Sequence, residues 1–193
     1  MLVAARRERA MLYLRSIMHR ATPGNEPATP PDVEGPRVDR LGAFRRLRMR
    51  QWLPLSPEEL FPFFAEARNL ESITPDSLGF HVLTPAPIEM GEGARIEYRL
   101  RIRGVPVRWT TLIRDWDPPH HFSDFQLRGP YLCWDHHHRF TAERGGTRCD
   151  DEVLFRVPGG PLEALVARLF VVPDVTNIFR HRAQVLHDRF AAG

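Results

Sequence analysis

The stretch "ARIEYRLRIRGVPVRWTTLIRDW", Ala94–Trp116, decides the fold because apolar and charged residues alternate along much of it. Such alternation is typical of strands with one buried and one solvated face. Gly104 marks a tight turn near the middle, so we predict an antiparallel hairpin here. The buried face of its first strand consists of Ile96, Tyr98, Leu100 and Ile102.

Similar short runs separated by turn residues lie on both sides of this hairpin. "LGFHVLT" precedes it, and "HFSDFQLR", "YLCWDHHHRFTA" and "TRCDDEVLFRV" follow it. Earlier, "FRRLRMRQWLPL" alternates in the same way and predicts a first strand. We therefore expect about seven antiparallel strands.

Helical signals occur at two places. In "SPEELFPFFAEARNL", Ser56 and Glu59 form a capping box and Pro57 suits the first helical position. A second short helix should end before Pro75. The chain closes with "PLEALVARLFVVPDVTNIFRHRAQVLHDRF", where apolar residues recur at helical spacing and Pro173 should kink or divide the helix.

This order predicts an α+β fold. A curved antiparallel sheet would wrap around the long C-terminal helix, with two short helices after the first strand. We place this domain at residues 43–193. Residues 1–42 combine a basic helical segment with a Pro-rich linker, and we predict that they are a flexible extension. Contact of the basic helix with a membrane surface is the alternative.

Composition limits the classes of function. The net charge is +3, and no basic stripe is interleaved with stacking aromatics, so a nucleic-acid partner is not expected. No apolar run approaches the roughly 18 residues of a membrane-spanning helix. Cys133 and Cys149 have no metal-type spacing and indicate a reduced, cytoplasmic protein. Oligomeric state stays open.

The chain resembles the SRPBCC superfamily, which includes START lipid-transfer domains and aromatic polyketide cyclases. The resemblance rests on "NLESITP", "MGEGARIEYRLRIRGVPVRWTTLIRDWDPPHHF", "RGPYLCWDHHHRF" and "GTRCDDEVLFRVPGGPL", and it covers about residues 47–190. A bacterial subfamily of ligand-binding proteins, some labelled cell-division inhibitors, is most similar. The resemblance implies a helix-grip fold that encloses a hydrophobic, lipid-like or aromatic ligand, without a cofactor or metal.

The run "WDHHHRF", residues 134–140, contains three consecutive histidines. Strand alternation separates them: His136 and His138 should face the cavity with Trp134, whereas His137 should face solvent. With a turn at "ERGG", His138 lies opposite Asp151; a tighter turn would shift the pairing by two residues. With a two-residue turn at Gly129 and Pro130, Ser123 lies beside His136.

These registers predict a ligand-binding wall that combines a polar cluster with an aromatic region. The predicted ligand-binding residues are Tyr98, Leu100, Trp109, Thr111, Ser123, Phe125, Trp134, His136, His138 and Phe155. The polar cluster also includes His121 and Asp151.

Three functions fit this cluster. Histidines two apart on a strand, with a third histidine and a carboxylate nearby, could bind zinc. His138 and Asp151 could form the catalytic acid–base pair of a polyketide cyclase or dehydratase. We favour a third interpretation, in which the histidines orient a hydrophobic or aromatic small molecule that the protein binds or transports.

Overall fold

The computed structural model describes residues 33–191 of the chain. The predicted N-terminal basic helix and most of the Pro-rich linker lie outside these residues. Within them, eight strands form one antiparallel sheet with the order β1-β2-β8-β7-β6-β5-β4-β3. The strands are β1 (Val33–Leu41), β2 (Phe44–Leu53), β3 (His81–Val82), β4 (Arg95–Ile102), β5 (Val105–Asp117), β6 (His121–Arg128), β7 (Cys133–Glu143) and β8 (Gly146–Arg156).

The α+β class is confirmed, but the strand count is eight rather than about seven. Two strands, not one, precede the first helices, because β1 lies in the segment that we predicted to be a linker. This strand is at the edge of the sheet, and its pairing with β2 shifts between Glu34 and Arg37, around Pro36. An edge strand with an irregular register tolerates proline and charged residues. Linkers have the same composition, so composition does not distinguish this strand from a linker.

Within residues 33–191, four α-helices flank the sheet: α1 (Pro57–Phe64), α2 (Asn69–Ser72), α3 (Glu163–Val166) and α4 (Val172–Phe190). The capping box of α1 is confirmed. The Glu59 backbone N–H donates to Ser56 Oγ at 3.3 Å, and the Ser56 N–H donates to Glu59 Oε2 at 2.9 Å. This exchange satisfies two donors that the first helical turn would leave unpaired.

The closing helical segment is divided next to Pro173, as predicted. Residues Ala167–Val171 form a π-helical turn between α3 and α4, and Pro173 lies in the first turn of α4. Proline has no N–H to donate to the carbonyl four residues earlier, so the α-helical hydrogen bonding changes at this point.

Helix α4 packs against the sheet through a stripe of buried residues. Val175, Phe179, Ala183 and Leu186 recur at helical spacing and are almost completely buried. A buried hydrogen bond also fixes the orientation of the helix, because Gln51 Nε2 donates to the Ala183 carbonyl at 2.9 Å. The helix therefore has a defined rotation about its axis, and this decides which of its side chains face the space above the sheet.

The β7–β8 pairing follows the register expected from the turn at "ERGG". Trp134 lies opposite Phe155, His138 opposite Asp151 and Ala142 opposite Thr147. The β4–β5 hairpin turns through Arg103 and Gly104, both with positive φ, so Tyr98 pairs with Trp109. Both side chains therefore lie on the same face of the sheet.

Substitution of Phe155 tests how α4 packs on the sheet. It is fully buried against Trp134 and Tyr131, in the cluster that contains Val175 and Phe179. We expect Phe155→Ala to lower the free energy of unfolding by about 3–5 kcal/mol, because it removes a large side chain from a packed core.

Urea unfolding monitored by circular dichroism measures this loss. The matched control is Phe170→Ala, since the Phe170 side chain is 43% exposed. We expect a loss below about 1 kcal/mol there. Equal losses in the two variants would contradict this assignment of the core.

Candidate functional site

A cavity of about 320 Å³ lies between the sheet, the segment from α1 to the residues after α2, and helix α4. Most of its wall is apolar and aromatic. The polar side chains that reach it include His136 and His138 of β7, Asp124 of β6 and Arg182 of α4. A mostly apolar cavity with a few convergent polar groups has the usual composition of a small-molecule site.

His136 and His138 stand between two carboxylates. His136 Nδ1 lies 3.1 Å from Asp124 Oδ2, and His136 Nε2 lies 3.0 Å from Asp151 Oδ1. His138 Nε2 lies 3.2 Å from the same oxygen of Asp124, and its Nδ1 lies 2.9 Å from the same oxygen of Asp151. We call these four residues the His–Asp tetrad. Every ring nitrogen of the tetrad faces a carboxylate oxygen.

Mutual neutralisation makes this buried cluster of charges tolerable. Burial alone would raise the pKa of Asp124 and of Asp151, but the charges and hydrogen bonds of the two histidines outweigh it and hold both pKa values well below the usual range. Burial would lower the pKa of His138, but its hydrogen bonds to Asp124 and Asp151 and their charges raise it above the ordinary value. One oxygen of each carboxylate contacts both imidazole rings.

Aromatic rings hold the tetrad in place. The Phe122 ring is stacked on His138 with centroids 4.4 Å apart, and Phe179 of α4 meets His136 edge-on at 5.3 Å. Because β6, β7, β8 and α4 all contribute, the tetrad links the sheet to the closing helix. Three members of the tetrad, Asp124, His136 and His138, line the cavity. Asp151 is buried and does not line it.

Asp124 was missed by the sequence reasoning because the β6–β7 register is shifted by one residue. Gly129–Leu132 connects the strands, and Gln126 holds this longer loop by donating to the Tyr131 carbonyl at 2.8 Å and accepting its N–H at 3.3 Å. A Cβ on Gly129 would lie 2.3 Å from the Gln126 amide oxygen, so a larger residue there would displace the Gln126 side chain. A shift of one residue turns every β6 side chain to the opposite face.

Ser123 and Phe125 are therefore wrong as cavity residues. They pair with His137 and Asp135 and belong to the opposite face of the sheet. Ser123 Oγ donates to Asp115 Oδ2 at 2.9 Å, and the Arg114 guanidinium lies 4.4 Å from the Phe125 ring centroid. His121, the first residue of β6, is also outside the cluster. Its Nδ1 lies 3.4 Å from Asp117 Oδ2.

The structure brings most of the other predicted residues to the cavity. Those that line it are Tyr98, Leu100, Trp109, Thr111, Trp134, His136 and His138. Phe155 faces the same side of the sheet but is covered by the packing of α4. Asp151 is 2.9 Å from His138, as the predicted acid–base pair requires. Roles in ligand binding or catalysis stay predictions for all of these residues.

Polar atoms on the β4–β5 wall satisfy one another. The Tyr98 hydroxyl is hydrogen-bonded to Thr111 Oγ1, and Trp109 Nε1 donates to the same oxygen at 3.1 Å. Burial raises the pKa of Tyr98, and the nearby charge of Asp124 adds to this effect. The phenol therefore stays neutral, and this wall offers a ligand mainly aromatic surface.

Asp124, His136 and His138 are also the described residues with the geometry for a metal ion. One ligand atom from each lies within 4.8 Å of the others. Two imidazoles and one carboxylate suit a first-row transition metal such as zinc or iron, and Asp151 would then accept the N–H of both rings. Binding would displace the protons that now satisfy the Asp124 contacts.

Comparison with known proteins supports the fold. A Thermus thermophilus protein of known crystal structure is 19% identical, with a TM-score of 0.57 over 75% of this chain and 98% of that chain. Ara h 8.0201 is 15% identical, with a TM-score of 0.51 over 75% and 99% of the two chains. A nucleoside-diphosphate sugar epimerase from Corynebacterium glutamicum is 20% identical, with a TM-score of 0.53 over 74% of this chain and 28% of its own.

These likenesses define a class of fold and no particular activity. The curved antiparallel sheet with its C-terminal helix fits an SRPBCC-like, helix-grip fold, the fold of Ara h 8. No protein family model and no curated protein matches the sequence. Within residues 33–191, no helix is both long and apolar enough to cross a membrane.

The tetrad makes stability depend on pH in two directions. The lowered carboxyl pKa values contribute stability above pH of about 4, and this is lost as the pH falls. The raised pKa of His138 contributes stability below pH of about 6.5, and this is lost as the pH rises through the folded-state value. The contribution is therefore largest between these limits.

We expect Asp151→Asn to lower the free energy of unfolding by about 3–5 kcal/mol near pH 5.5, since it leaves two buried histidines with half of their partners. The difference from wild type should shrink toward pH 3 and toward pH 9. Urea unfolding across this range measures it.

The neighbouring residue offers a matched control. Asp150 is 28% exposed and pairs with Arg50 and Arg148 on the outer face. Asp150→Asn should cost about 1 kcal/mol or less. A pH-independent loss in Asp151→Asn, or a loss no larger than in Asp150→Asn, would contradict the charge-balanced tetrad.

Proposed function

We propose that this chain is an SRPBCC-like binding domain that holds a hydrophobic or aromatic small molecule, including lipid-like molecules, in its internal cavity. The observation that carries the proposal is the cavity itself: about 320 Å³ of mostly apolar space beside a tetrad whose ring nitrogens all contact carboxylates. A hydrophobic ligand in this space would gain dispersion contacts with the apolar walls.

The tetrad supports binding more than catalysis. A general acid needs an N–H directed at the substrate, and a general base needs a free lone pair. All four imidazole nitrogens lie within 3.2 Å of the carboxylates of Asp124 and Asp151. The cluster therefore presents a fixed polar surface, mainly the edge of Asp124, on which a ligand hydroxyl or amide could be oriented.

Ligand entry would occur near the β4–β5 turn. Arg103 of this turn donates twice to Asp174 of α4, with both distances 2.9 Å, and both residues line the cavity. Arg103 also lies over the Phe170 ring at 4.8 Å. The two side chains of this ion pair are 51% and 34% exposed, so solvent screens it, and opening it is inexpensive.

A second candidate function is acid–base chemistry on a polyketide-like substrate by His138 and Asp151. It has one observation in its favour, the 2.9 Å contact between Asp151 and His138, of which His138 lines the cavity. Turnover of such a substrate by wild type, lost in Asp151→Asn while ligand binding persists, would favour this enzyme over a carrier.

Native mass spectrometry of the purified chain tests the proposal directly. We expect a co-purified hydrophobic molecule that is released on denaturation. Stoichiometric zinc that is lost in His136→Ala would instead favour the metal site. Binding of the neutral fluorescent probe N-phenyl-1-naphthylamine gives a second measurement that does not need the natural ligand.

Leu100→Trp should close the cavity. Leu100 lines it from β4 and is 9% exposed, so an indole at this position would occupy ligand space. We expect affinity for N-phenyl-1-naphthylamine to fall at least about tenfold, equivalent to roughly 1.4 kcal/mol.

Leu132→Trp is the matched control because Leu132 is 60% exposed and does not line the cavity. Its affinity for the probe should equal that of wild type. If wild type neither carries a ligand nor binds the probe, or if Leu100→Trp binds as well as Leu132→Trp, the binding proposal fails.

A further inference from the structure

Arg182 is an arginine on the buried face of a helix. It follows Val175 and Phe179 at helical spacing on α4, lines the cavity and is only 8% exposed. Arginine is rarely buried to this extent unless a carboxylate or several acceptors receive its N–H groups. Its neighbours at these spacings are apolar residues that fill the core.

The guanidinium of Arg182 has no anionic partner among residues 33–191. Its Nε is buried without a hydrogen-bond acceptor, and the group it contacts is the ring of Phe179, whose centroid is 5.0 Å from Cζ. The cation–π contact fixes the orientation of the side chain but does not neutralise its charge.

The acidic side chains that line the cavity are already engaged. Asp124 belongs to the tetrad, and Asp174 receives two hydrogen bonds from Arg103. Glu66 is exposed and accepts the backbone N–H of Arg68 at 3.0 Å. None of these three carboxylates forms a salt bridge with Arg182, so its guanidinium has no ion-pair partner among residues 33–191.

The Phe179 ring contacts a member of the tetrad as well as Arg182. The centroid of the His136 ring lies 5.3 Å from the Phe179 centroid, and the Arg182 Cζ lies 5.0 Å from it. The cavity therefore offers a ligand two kinds of polar group, a hydrogen-bonded His–Asp tetrad on the sheet and a guanidinium on the helix.

We infer that Arg182 binds the carboxylate of the ligand, so that the ligand is an amphipathic organic acid with an apolar body. A planar guanidinium can donate two parallel hydrogen bonds to a carboxylate, and such charge-assisted bonds are strongest away from water. The aromatic walls around Trp109 and Trp134 would receive the apolar body. This inference rests on the proposed binding function and adds the chemical class of the ligand.

Matched pairs of acids and alcohols test the charge requirement. Displacement of N-phenyl-1-naphthylamine would be measured for 2-naphthoate against 2-naphthalenemethanol, and for dodecanoate against dodecanol. In wild type, we expect the acid of at least one pair to bind about 10–100 times more tightly than its alcohol, as a hydrogen-bonded ion pair replaces an unpaired buried charge. The naphthalene pair represents an aromatic ligand and the dodecyl pair a fatty acid.

Arg182→Met removes the charge and keeps a side chain of similar length. We expect it to abolish the preference for the acid while affinity for the alcohol changes less than about threefold. Arg182→Lys keeps the charge without the planar fork and should retain part of the preference. Arg180→Met is the control on the same helix, because Arg180 is exposed and donates to Asn177 Oδ1 at 3.5 Å; it should keep the full preference.

Thermal unfolding without ligand provides an independent readout. Arg182→Met should be at least as stable as wild type, since an unpaired buried charge is replaced by an apolar side chain. Dodecanoate or 2-naphthoate should raise the Tm of wild type but not of Arg182→Met.

The outcomes separate this inference from the binding function. Equal affinity of wild type for acid and alcohol in both pairs would overturn the carboxylate assignment and leave the cavity as a binding site. An acid preference that survives in Arg182→Met would overturn it as well. Failure of wild type to bind the neutral probe would overturn the proposed function itself.

Discussion

The pairing of two histidines with two aspartates is the constraint on which the rest of the site depends. Buried charges are tolerated when opposite charges and hydrogen bonds surround them, and here each carboxylate contacts both imidazole rings. Asp124, His136 and Asp151 come from three neighbouring strands, β6, β7 and β8. Any slip of these strands would separate the charges, so the tetrad favours one register for the centre of the sheet.

Because the polar groups of the tetrad are bonded to one another, few of them are left to bind a ligand. Its ring nitrogens face carboxylates, and on the adjacent wall Tyr98 and Trp109 share Thr111. What remains for a ligand is aromatic surface, the edge of Asp124 and the guanidinium of Arg182. A ligand with an apolar body and a polar end would therefore bind in one orientation, because the apolar and polar groups of the cavity lie at different places.

Much of the fold could be predicted from the sequence, because strand alternation and helix caps are local signals. The β7–β8 register followed from the apolar partners of residues 134–140, and Ser56 with Glu59 marked the start of α1. Register across longer loops depends on contacts that local patterns do not encode. The Gln126 amide holds the β6–β7 loop, so the two-residue turn was wrong and Asp124 replaced Ser123 on the inner face.

Arg182 shows where sequence reasoning could have gone further, and strand β1 shows where it could not. Arg182 occupies an apolar position in the repeat of Val175, Phe179 and Leu186, and a charged residue at such a position is a signal that periodicity alone can detect. The strand β1 gave no such signal. Its Gly35–Pro36 sequence is compatible with both a linker and an edge strand, and the choice between them depends on pairing with β2.

Helix α4 both closes the core and brings a guanidinium to the cavity wall. A π-helical turn precedes it, and Pro173 lies in its first turn. Gln51 on the Ala183 carbonyl and Phe179 against His136 fix the rotation of α4 about its axis. Arg182, one residue before Ala183, is thereby held at the cavity wall. Burying an arginine without an ion-pair partner among the described residues opposes stability, and a ligand carboxylate of the kind proposed would supply that partner.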